Sequence, residues 1–130
     1  MTQEKEKNKD TFVFPFEKLE IWHHAVDLAD CSLNLMDAFP PNKYPRLTAL
    51  MEASVSRVAQ HIAEGKGRQS KQEFIQSLYT AEGSLFEFLT VTKLLKCRGC
   101  IGEQQESEIR KQAEIIDRKL HGLINSLRKQ

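Results

Sequence analysis

Four sets of residues in this 130-residue chain have types and spacings that chemistry uses. Cys97-Arg98-Gly99-Cys100 has the spacing of a redox dithiol or of half a zinc site. It lacks a βαβ context and a second Cys or His pair at ligand spacing, so its thiols are assigned to a helix terminus, partly buried. Glu20 and His23 make one Glu-x-x-His element, which di-iron helical proteins use twice. With Leu19 and Trp22 facing a core, Glu20 and His23 flank it, and His61 has no Glu three residues earlier to supply the second element. His24, Glu82 and Glu87 stand at no spacing that supplies a nucleophile, a base and a group to orient it. No enzyme, metal site or cofactor is expected from these three sets.

The fourth set is basic. Between positions 57 and 71, Arg57, Lys66, Arg68 and Lys71 are opposed by Glu64 alone, while the chain as a whole carries a formal charge of +1. A local cationic patch on a balanced body suits phosphate contact, with a solvated turn as the plainer reading. The glycines around Lys66 are not the longer loop that precedes Lys-Ser or Lys-Thr in nucleotide sites. Free amides from Gly67 to Ser70 would suit an anion at a helix start, but Glu73 competes for that place.

The turn that carries these cations is strongly specified. Gly65 and Gly67 can adopt positive φ and end a helix bearing Val58 and Ile62. Ser70 and Glu73 then form a predicted capping box, each side chain satisfying the other's backbone N–H, ahead of the apolar run Phe74, Ile75, Leu78.

Around the turn the chain is helical in pattern. Residues 1–13 lack periodicity and predict a disordered leader, with one domain over 14–130. Leu19, Trp22, Val26, Ala29, Leu33 and Met36 alternate at spacings of three and four and predict the core seam of a first helix, ended by Pro40 and Pro41. A second stripe on that helix, containing Ile21, Ala25, Leu28, Ser32 and Leu35, needs its own partner, either a wide core contact or another subunit. Ile21, Leu28 and Leu35 are therefore the candidate oligomer interface. The next helix, opened by Pro45, carries Leu47, Met51, Val55, Val58 and Ile62; the third, about 71–96, is apolar on much of its circumference. Gly83 in its middle predicts close approach of a neighbouring helix. The fourth repeats Ile109, Ala113, Ile116, Leu120, Leu123 and Leu127. The fold class is all-α, an antiparallel up-down-up-down four-helix bundle.

No apolar run has the roughly 20 residues of a membrane span, and three cysteines without a disulfide framework fit a reducing compartment, so a cytoplasmic protein is expected.

Ile62-Ala63-Glu64-Gly65, Gly67-Arg68, Ser70, Phe74 and Ala81-Glu82-Gly83-Ser84-Leu85, with Phe16, Leu19, Ile21, Trp22 and Ala25 upstream, form a recognisable series. It resembles the four-helix-bundle proteins encoded in 23S ribosomal RNA intervening sequences, over about residues 14–127. These look like relatives of the accessory variability determinant of diversity-generating retroelements, a pentamer that binds nucleic acid and a reverse transcriptase. The resemblance thus implies a homopentamer acting as an RNA- or DNA-binding accessory protein, for which the basic patch of Arg57, Lys66, Arg68 and Lys71 is the candidate contact; no catalytic activity is expected. The alternative is a protein-interaction scaffold, for example for a reverse transcriptase, with no direct contact to nucleic acid. One departure concerns the second helix, where relatives commonly carry a Gln-x-Arg-Arg-like run and this chain has Ala49-Leu50-Met51-Glu52-Ala53.

Overall fold

The structure is a computed structural model and describes residues 11–130. Of the predicted leader, positions 1–10 lie outside the described residues. Phe12 and Phe14 begin an aromatic run that continues through Phe16 to Trp22, with ring centroids 5.0–5.9 Å apart. A 3-10 turn over Pro15–Lys18 leads into α1 (Glu20–Asp37), followed by α2 (Pro45–Lys66), α3 (Lys71–Cys97) and α4 (Glu103–Arg128). There is no strand among the described residues, and no helix is long and apolar enough to cross a membrane. Each helix packs on its chain neighbours, and α4 returns to α1, so four helices enclose one core. Leu28, Met51, Val55, Ile62, Leu78, Phe88, Ile116 and Leu120 are fully buried in it.

In α1 the second stripe is the more deeply buried, the wide core contact of the two alternatives. Ile21, Ala25, Leu28 and Ser32 face the core, whereas of the predicted seam Leu19, Trp22, Ala29 and Met36 pack half-buried against it and Val26 and Leu33 are exposed. Both stripes are apolar, so hydrophobicity alone does not choose between them. The inward one carries the small residues Ala25 and Ser32, which let a neighbouring helix approach, and Ser32 Oγ donates to Leu28 O at 2.7 Å, so its hydroxyl is not left unpaired. Ile21 and Leu28, predicted for a subunit interface, are therefore taken up within the single chain, and Leu35 packs half-buried at its margin.

Glycine roles also move. Gly65 does not end α2; it is buried inside the helix, where an added Cβ would lie 2.6 Å from Ser77 Cβ and 3.0 Å from Phe74 Cδ1. Gly67 follows at φ −84°, without the positive φ expected of a helix-ending glycine. Gly83, by contrast, has nothing within 4 Å of an added Cβ, so the close helix approach predicted there occurs at Gly65. Along α4 the predicted seam holds at Ile109, Ala113, Ile116, Leu120 and Leu127, while between the last two Ile124 and not Leu123 is buried.

At the far end the α1–α2 connection contains two non-glycine residues with positive φ, Asn42 at 62° and Tyr44 at 51°. Pro45 disfavours the right-handed α region for the residue before it, and Tyr44 takes the left-handed one. Arg98 fastens it, donating from Nε to Tyr44 Oη at 2.9 Å with the guanidinium 5.6 Å from the ring centroid.

Candidate nucleic-acid interface

The end of α2 decides which donors the basic turn can offer. Gly67 N–H and Arg68 N–H donate to Glu64 O and Gly65 O, both at 3.1 Å, closing the last turn of α2. Those two amides are thus not available to an anion, contrary to the anion-site reading of the turn. Ser70 Oγ accepts from Glu73 N–H at 3.1 Å, as predicted. The reciprocal arm differs: Glu73 Oε1 accepts from the Ser70 hydroxyl at 3.0 Å.

The four predicted cations separate into two places. Lys66, Arg68 and Lys71 share the α2–α3 end, whereas Arg57 lies nine residues before Lys66, about 13 Å along α2 at 1.5 Å per residue. Arg57 Nη1 is 3.4 Å from Glu87 Oε1 on α3. Lys66 lies over the Phe74 ring, 5.7 Å from its centroid. Arg68 Nη2 is 3.9 Å from Glu64 Oε2, and Lys71 Nζ donates to Gln130 O at 2.6 Å. The last contact brings the end of α4 to the basic turn. Arg128 joins it, Nη2 donating to Tyr79 Oη at 2.7 Å, with exposed Lys129 beside it. Sequence reading missed Arg128 and Lys129 because they are some 60 positions from the turn and only the packing of α4 on α3 unites them. All these contacts are exposed, where ion pairs are weak and are readily exchanged for a phosphate.

The other chemistry-bearing residues are dispersed. Glu20 meets Lys119 Nζ at 2.5 Å and His24 at 3.5 Å, and the lysine beside it holds its carboxyl below the usual range. His23 Nε2 lies 2.6 Å from Glu17 O. His61 faces Glu64 at 3.9 Å. Cys97 is exposed and Cys100 half-buried, both as free thiols beside Gly99, whose φ is +82°. A cluster not foreseen from the sequence joins α3 to α4: His121 Nε2 is 2.5 Å from Glu82 Oε2 and 3.9 Å from Asp117 Oδ1. Burial, followed by the adjacent Glu82, raises the Asp117 carboxyl to about 6. Asp117 and His121, four apart on α4, were legible as a pair on one helical face; Glu82 was not, since it comes from another helix.

Residues 17–122 match the family model of the 23S rRNA-intervening sequence protein. Among solved structures, the chain is similar to a protein of unknown function from the S23 ribosomal protein family of Bacteroides thetaiotaomicron. The two are 19% identical, the match covers 80% of this chain and 97% of that one, and the TM-score is 0.73. At that identity the likeness shows the fold. No curated protein matches the chain.

Proposed function

We propose that this chain, which belongs to the family of 23S rRNA-intervening sequence proteins, is a non-catalytic, self-associating accessory protein that binds RNA or DNA. The observation that carries the reading is the gathering of Lys66, Arg68 and Lys71 with Arg128 and Lys129 at one end, all exposed. We infer an antiparallel up-down-up-down bundle, in keeping with Glu20 meeting Lys119 while Cys31, later in α1, meets Gln112, earlier in α4. A pentamer, the state the family resemblance implies, would repeat the cationic end around a ring, and multivalency would offset the small charge of each subunit. With Ile21 and Leu28 inside the chain, the apolar surface left for subunit contact includes Trp22, Val26 and Leu33 on α1 and Phe86 and Leu94 on α3. The same exposed residues favour the second reading, a cytoplasmic scaffold for a protein such as a reverse transcriptase.

Fluorescence-anisotropy titration of labelled RNA and DNA at two salt concentrations separates the two. Binding through the basic end weakens steeply with salt, and Lys66→Gln with Arg68→Gln lowers affinity across all sequences. The salt slope falls by about one for each phosphate that is no longer neutralised. Wild-type protein that fails to bind at low salt, or binding indifferent to both substitutions, removes the basic end as the site and leaves the scaffold.

A further inference from the structure

Midway along the α3–α4 seam, away from the basic end, Glu82, Asp117 and His121 each offer one ligand atom, and the three atoms lie within 4.8 Å of one another. We propose that these side chains bind one divalent transition-metal ion of the zinc class, leaving a coordination position open to water or to a ligand. The donor set is one imidazole nitrogen and two carboxylate oxygens. Calcium and magnesium prefer more oxygens, whereas a nitrogen donor with few ligands suits zinc and its neighbours.

The spacing fits. Ligands about 2.0–2.2 Å from a tetrahedral zinc stand roughly 3.3 Å from one another. The observed separations from His121 Nε2, 2.5 Å to Glu82 and 3.9 Å to Asp117, bracket that value, and a small swing of the half-exposed imidazole would equalise them. An independent observation concerns Asp117 Oδ1, a buried atom with no hydrogen-bond partner. Buried polar atoms are paired in the great majority of cases, and this one lies with the other two donors. A cation between the two carboxylates would satisfy it and remove their mutual repulsion.

The test titrates the full chain with zinc chloride by calorimetry and with cobalt(II) chloride by visible absorption. One ion per chain is expected, with cobalt bands of a low-coordinate site and a rise in Tm. His121→Ala and Asp117→Asn should each weaken binding at least about 100-fold, the upper end of what removal of an outer-shell partner alone produces. Cys97→Ser with Cys100→Ser should leave it unchanged. His121 is 48% exposed at its side chain, so its alanine variant should fold, as circular dichroism will verify. Absence of saturable binding, binding that survives His121→Ala, or binding abolished with the cysteines overturns the site.

Discussion

Where α2 meets α3 the backbones themselves approach, because Gly65 leaves no side chain between Ser77 and the α2 axis. Where α1 meets α4, contact is made by side-chain ends: Glu20 with Lys119, and Gln112 Nε2 with Cys31 Sγ at 3.7 Å. Shallow grooves remain between them, one lined by Leu19, Ile21, Gly122 and Leu123, another by Cys31, Leu35, Gln105 and Ile109. The first seam is fixed by space that must stay empty, and so a single added methyl can disturb it. The second tolerates change at its rim and depends on what α1 inserts into the core.

That dependence sets the largest expected effect. Leu28 is fully buried and Leu33 is 38% exposed, one on each face of α1. Leu28→Ala should cost about 2–5 kcal/mol, as deletion of a buried leucine side chain does. Leu33→Ala should cost under about 1 kcal/mol, as at exposed positions. Urea unfolding of both checks it. Equal losses would mean that α1 is not seated by the Ile21, Ala25, Leu28 stripe, and the contrast between the seams would fail.

Two glycines sharpen the contrast. Ala favours a helix interior over Gly by about 1 kcal/mol, so Gly83→Ala, with open space around it, should stabilise by up to that amount. Gly65→Ala brings the same gain but sets a methyl 2.6 Å from Ser77 Cβ, and overpacking of about 1–3 kcal/mol should outweigh it. Opposite signs in thermal unfolding are the expected result. A stabilised Gly65→Ala would show that the α2–α3 seam can widen freely.

These residues also show where sequence reasoning reached and where it stopped. The starts of α2 and α3 were legible because their determinants are local: Pro45 opens α2 at its first position, and Ser70 caps α3. Four helices were legible from periodicity. The phase of α1 was not, since Trp22, Val26 and Leu33 are as apolar as Ile21 and Leu28, and the choice depends on how close α2 and α4 come. Gly65 and Gly83 look alike in sequence; only the neighbouring helix distinguishes them. Of the cationic end, the turn residues were legible and Arg128 was not. The Glu82, Asp117, His121 cluster required α3 and α4 to be packed before it existed.

The smallest expected effect probes α4 where its own side chains anchor it to α3. Glu106, buried in the first turn of α4, lies 3.0 Å from Lys96 Nζ and 3.5 Å from Lys93 Nζ. The hydrogen bond from Lys96, with Lys93 adding its charge, holds the Glu106 carboxyl below its ordinary 4.5. A carboxyl whose folded-state pKa is depressed binds fewer protons in the native state than in the unfolded one. Its contribution is therefore fully present above about 4.5 and fades as pH falls through the lower folded value. Glu106→Gln keeps the shape and removes the titration, so the variant should lose less stability than wild type on acidification below pH 4.5. Parallel urea curves at several acid pH values measure the difference in slope. Identical slopes would mean that the lysines are satisfied by Glu103, which Lys96 also meets at 3.3 Å, and that this corner of α4 is held by packing alone.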